Sequence, residues 1–82
     1  MISNEMLSRY HLASMQELQE LVGNEKQGET LFYQSFLIQT DYIPNKIIEA
    51  QVLGIPIDQD YTEILQARAE AREKLSELGV GT

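Results

Sequence analysis

Cysteine and tryptophan are absent from this chain of 82 residues. Without cysteine there is no disulfide scaffold, no thiol nucleophile, no Cys-based zinc site and no haem attachment. Basic residues are few: 6 Lys and Arg stand against 13 Asp and Glu, for a formal net charge of −7. Binding a phosphate backbone needs a surplus of Lys and Arg, so direct nucleic-acid binding is not expected. Long hydrophobic runs are also missing. The most apolar stretch, Leu31 to Ile38, falls far short of the roughly 20 residues that cross a bilayer. The opening Met-Ile-Ser-Asn-Glu-Met-Leu lacks the basic start and apolar stretch of a signal peptide. These features lead us to expect no membrane partner and a cytoplasmic location.

What is present is enough for a folded chain. The hydrophobic fraction of 43% is that of a globular protein. The length allows a single domain, residues 1–82, and no second one. A chain this short buries only about 60% of its unfolded surface, and oligomerisation is an ordinary way to gain more.

Apolar residues fall mostly at helical spacing along residues 4–22: Met6, Leu7, Tyr10, Leu18, Leu21 and Val22. Ser14 with Glu17 has the form of a capping box. The segment is therefore either one long helix or a short helix, a break near His11 to Ala13, and a second helix from about Met15. Gly23-Asn24 is a helix stop, and polar residues 23–29 with two glycines read as a loop. Thr30 to Thr40 pairs Phe32 with Phe36 and Tyr33 with Leu37 at i,i+4, and it is apolar nearly all round. That pattern suggests a central buried helix. A buried strand is the competing reading, disfavoured because the chain offers no hairpin partner. Asp41-Tyr42-Ile43-Pro44 interrupts the pattern. A helix from about Pro44 to Leu53 follows, with Ile47, Ile48 and Val52 on one side, closed by Gly54-Ile55-Pro56. Asp58 to Asp60 is a short acidic link. The last helix is capped by Asp60 and Glu63, carries the stripe Ile64, Ala67, Ala71, Leu75, Leu78, and ends at Gly79 and Gly81. Its alanines would let another helix approach closely.

No catalytic constellation stands out. His11 is the only histidine, and it reads as a surface or helix-edge residue rather than a metal ligand. Ser8, His11 and Glu5 are near one another, but nothing supplies an oxyanion hole or a nucleophile elbow. Asp58-Gln59-Asp60 with Glu63 resembles the start of a calcium loop, yet its sixth position holds Glu63 where that loop needs glycine. No cofactor is expected. Arg68 and Arg72, one turn apart, would repel unless acids face them. Internal pairing with Asp41 or Glu49 is the favoured reading, and an anchor for an acidic partner is the other. Phe32, Tyr33, Phe36, Tyr42 and Tyr61 hold five of the six aromatic residues. Most should be core, and any left exposed would mark a protein contact.

The second half of the chain resembles small uncharacterised proteins encoded by bacteriophages and prophages of Gram-positive and gut bacteria. The shared pattern is a set of spaced residues: Asp41, Tyr42, Lys46, Glu49, Gly54, Arg68 and Arg72. It covers roughly residues 36–78. The chain departs from it at Ser76-Glu77-Leu78, where those proteins carry an Asn-Glu-Leu-Glu-like ending. The resemblance implies a setting, a phage or prophage gene cluster, and no activity. On this pattern, Asp41, Lys46, Glu49, Arg68 and Arg72 would form a charged seam that locks two helices.

These readings converge on an all-α fold, a small bundle of three to four short helices with a long C-terminal helix. The function expected is a non-enzymatic protein-interaction or assembly module of phage or prophage origin. Its partner would be another protein or a second copy, as a homo-oligomer, in the host cytoplasm or on the virion. The alternative is an acidic inhibitor that mimics nucleic acid and occupies a host nucleic-acid-binding protein. The negative charge permits that reading, but it is spread evenly. Residues 1–41 hold six acids and two basic residues, and residues 42–82 hold seven and four.

Overall fold

The structure, a computed structural model, describes residues 2–57 and 59–80. Five helical segments follow one another: α1 (Asn4–Arg9), α2 (Met15–Val22), α3 (Glu25–Thr40), α4 (Tyr42–Leu53) and α5 (Thr62–Glu77). The described residues contain no strand, so the fold is all-α and Leu31 to Ile38 is helical.

The N-terminal segment is two helices. Ser3 Oγ accepts from the Met6 amide at 3.2 Å and starts α1. At its end His11 adopts φ 57°. The His11 amide then donates to the Ser8 carbonyl and the Leu12 amide to the Leu7 carbonyl, the paired bonds that close a helix in a left-handed turn. The same closure ends α4 at Gly54 and α5 at Gly79, both at positive φ. At His11 it is made without glycine.

Ser14 starts α2 as expected: its Oγ accepts from the Glu17 amide at 3.2 Å and donates to Glu17 Oε1 at 3.1 Å. Gly23 stops α2. The expected loop over residues 23–29 shrinks to Gly23 and Asn24, because Asn24 Oδ1 accepts from the Gln27 amide and begins α3 at Glu25. Gly28 lies inside that helix, buried against α2. A Cβ there would stand 2.4 Å from Gln19 Cα, so the two helices can cross this closely only over glycine. The stripe expected on α2 is only partly used. Met15 and Leu18 pack on the core, while Leu21 is 79% exposed and Val22 is exposed too.

α3 buries Gly28, Phe32, Phe36 and Thr40, one per turn, with Tyr33 beside them. It is not buried all round, since Ile38 faces solvent. α5 answers with Ile64, Ala67, Ala71 and Leu75, the stripe read from its spacing, and with Arg68. Met6 and Leu7 of α1 complete the core, and Tyr61 and Leu78 pack at its edge. The capping box expected from Asp60 and Glu63 is not the one formed: Tyr61 is the N-cap of α5 and makes no side-chain cap bond, and Asp60, one residue earlier, accepts from the Thr62 amide at 2.9 Å. Asp58 and Gly81 lie outside the described residues.

The interruption at residues 41–44 is slighter than the sequence suggests. Asp41 keeps helical angles (φ −61°, ψ −26°), so α3 and α4 run on as one path from Glu25 to residue 53. Pro44 has no amide to offer the Thr40 carbonyl, which marks the joint. Beyond it α4 leaves the bundle. Only Ile43 is fully buried and Ile47 half-buried, while Ile48 and Val52 point outward. The result is long and thin, 47 × 26 × 16 Å, with a radius of gyration of 14.1 Å. A compact chain of this length would have about 12 Å. No helix among the described residues is long and apolar enough to cross a membrane.

Candidate functional site

Two regions gather the residues singled out by the sequence. The first is the joint between α3 and α5. The Arg68 side chain, 8% exposed, reaches across to the end of α3. Its Nη1 donates to the Leu37 carbonyl at 2.9 Å and to Thr40 Oγ1 at 2.6 Å, and its Nη2 to Asp41 Oδ1 at 2.8 Å. Thr40 Oγ1 in turn donates to the Phe36 carbonyl at 2.7 Å.

The local chemistry explains the arrangement. The last carbonyls of a helix lack amide partners and carry partial negative charge, which favours a cation. Asp41 bends its own amide toward the Ile38 carbonyl, and the guanidinium takes the Leu37 carbonyl instead. A planar fork with five donors can hold three acceptors at once, where a lysine could not. The network locks α5 to α3.

The charged seam is therefore smaller than the spaced residues imply. Asp41 and Arg68 meet. Arg72 is exposed one turn on, with no ion pair among the described residues, beside an open cavity of about 500 Å³ that Ile38 and Leu75 also line. Lys46 and Glu49 are not part of the seam. Both are exposed on α4 and pair with neither arginine. Thr40, the buried acceptor at the centre of the network, is missed by sequence reasoning. A single threonine at the end of an apolar run carries no signal of its own.

The second region is α4 and the link that follows. Ile48 (57% exposed), Val52 (79%), Leu53, Ile55 and Ile57 all stand open to solvent. Between α4 and the link lies a groove of about 510 Å³, lined by Lys46, Ile47, Glu49, Ala50, Ile55, Pro56, Ile57, Gln59 and Tyr61. Scattered single aliphatics are ordinary on a surface, whereas a contiguous group marks a contact site. The three residues expected on one side of this helix, Ile47, Ile48 and Val52, are thereby divided: Ile47 turns in with Ile43, and Ile48 and Val52 turn out.

The aromatic residues divide the same way. Phe32, Tyr33 and Phe36 are core, with the Phe32 and Tyr33 rings edge to face at 5.2 Å. Burial and the nearby Glu29 carboxylate raise the Tyr33 hydroxyl above its ordinary pKa of 10.0. Tyr61 is half-buried, and Tyr42 is exposed at the start of α4. His11 serves the chain through its backbone turn, and its ring is exposed. Among the described residues no three His, Asp or Glu side chains gather where a metal ion could sit. No known protein family, curated protein or solved structure matches the chain at a significant level.

Proposed function

We propose that the chain is a non-enzymatic protein-interaction or assembly module, of the kind carried in phage and prophage gene clusters, working in the host cytoplasm or on the virion. One observation carries the reading: an 82-residue chain spends a whole helix, α4, on a surface that its own core barely covers. Leaving Ile48, Val52, Leu53 and Ile55 in water forfeits roughly 1.5–3 kcal/mol for each side chain that a partner would bury fully. The phage setting rests on the spaced residues from Asp41 to Arg72. The acidic-mimic reading has less behind it, because α5 interleaves its carboxylates with Arg68, Arg72 and Lys74 rather than presenting an unbroken negative face.

A photo-crosslinking residue placed at Val52, in the cell that naturally makes the chain, tests the reading. The expected result is a discrete crosslinked species, either with a second copy or with one foreign protein. The same probe at Glu17, on α2, should give none. Equal or absent crosslinking at both positions would overturn the reading.

A further inference from the structure

The helical path from Glu25 to residue 53 loses its hydrogen-bond ladder at one place. Asp41 turns its amide to the Ile38 carbonyl at 3.4 Å, so the Leu37 carbonyl takes Arg68 Nη1 in place of the amide four residues on. Pro44 has no amide for the Thr40 carbonyl, and its ring crowds that carbonyl. Two rungs are therefore missing within one turn of helix.

The two sides of this gap are held very differently. The α3 side is clamped: Arg68 also holds Thr40 Oγ1 and Asp41 Oδ1, and Phe36 and Thr40 are fully buried. The α4 side is not. Ile43 is fully buried at the joint itself, and Ile47 is half-buried one turn on. From Ile48 to Leu53 only Ala50 is even half-buried. The link keeps to α4, because the Ile55 amide donates to the Ala50 carbonyl at 2.8 Å. Ile55, Pro56, Ile57, Gln59 and Asp60 are exposed, and Tyr61 is the first described residue of the return to pack on the core. Segments with few buried apolar contacts are the ones that move most easily. Here the gap in the backbone ladder and the loss of packing coincide.

We propose that α4 and residues 54–57 form an arm that pivots as a unit on residues 41–44, with Arg68 fixing its base and Ile43 at the pivot. Val52 stands nine residues beyond Ile43, about 14 Å of helical rise. A change of about 20° at the joint, the size of kink a proline introduces, carries Val52 through about 5 Å. The pivot follows from the joint alone and holds whether or not the exposed face of α4 meets a partner.

The chain has no cysteine, so spin labels attach only where one is introduced. Pulsed electron resonance on labelled chain diluted with unlabelled chain reads distances within single molecules. The exposed positions Glu20, Val52 and Glu73 serve as label sites. V52C with E73C spans the arm and α5, and E20C with E73C spans α2 and α5 as the rigid reference. The first distance distribution should be wider than the second by about 5 Å, and P44A, which returns an amide to the Thr40 carbonyl, should narrow it to the reference width. The reference should not change in P44A, which shows that the bundle is intact. Equal widths without P44A, or a width at Val52 that P44A leaves unchanged, would overturn the pivot. Far-ultraviolet circular dichroism separates pivoting from unravelling. The helicity of the wild type and P44A should agree, and a wild type short of most of α4 would overturn an arm that moves as a unit.

Discussion

The guanidinium of Arg68 is bonded to the hydroxyl of Thr40 at 2.6 Å, across 28 residues of sequence, and both side chains are buried. The pair joins the end of α3 to the middle of α5, and the Leu37 carbonyl and Asp41 carboxylate share the same cation. Removing the arginine takes the donor from the buried Thr40 hydroxyl and from the half-buried Leu37 carbonyl. R68A should therefore destabilise the fold by about 2–3 kcal/mol, and R68K should recover only part of that loss. R72A should fall within about 0.5 kcal/mol of wild type, as expected of an exposed side chain. D41N should cost less than about 1 kcal/mol, because Asp41 is 67% exposed and water screens its charge. Urea unfolding of the four variants checks this. Equal losses at Arg68 and Arg72 would contradict the account.

Gly28 allows the crossing of α2 and α3. Alanine is the better helix former by about 1 kcal/mol, so G28A would stabilise α3 if only the helix mattered. The Gln19 backbone in its path makes the expected sign the opposite, a loss of about 1–3 kcal/mol from overpacking. Thermal unfolding of G28A beside Q27A, exposed on the same helix, reads the difference.

His11 turns the chain in a left-handed conformation that costs an ordinary side chain about 1 kcal/mol. H11G should raise stability by up to about that amount, less the entropy glycine adds to the unfolded chain. The corresponding changes at the glycine closures, G54A and G79A, should each lower it. The measurement is the unfolding midpoint of the three variants.

Tyr33 gives the fold a defined sensitivity to alkali. Burial and Glu29 raise its folded pKa above 10.0, so the folded state holds the phenolic proton more tightly than the unfolded state. The stability linked to this proton is complete below the ordinary value and is lost as pH rises through the folded one. Y33F removes that contribution. The fall in unfolding midpoint between about pH 9 and pH 11 should be shallower in Y33F than in wild type, and identical slopes would contradict the assignment.

Much of this architecture can be read from spacing. The stripe from Ile64 to Leu75, the Ser14 cap and the Gly23, Gly54 and Gly79 stops depend on neighbours within a turn or two, and all are found. What escapes is tertiary. Gly28 looks like loop punctuation until Gln19 is known to lie against it. In α4, Ile43, Ile47, Ile48 and Val52 follow one another so closely that periodicity does not choose a face, and the Pro44 joint decides which pair turns inward. The seam is legible as residue types, but only the fold shows that Arg68 takes Thr40 and Asp41 while Lys46 and Glu49 stand apart. The apolar surface of α4 could have been suspected from its having one positive and one negative charge in twelve residues.

The central claim is that α4 and its following link are the surface by which the chain meets its partner. Amide hydrogen exchange tests it most directly. The chain would be isolated in the complex it forms in its own cell and compared with the same chain dissociated and refolded at low concentration. The account predicts slower exchange in the complex over residues 45–57 and unchanged exchange across α1 and α2. Unchanged exchange over residues 45–57, or protection gained on α2 instead, would contradict it.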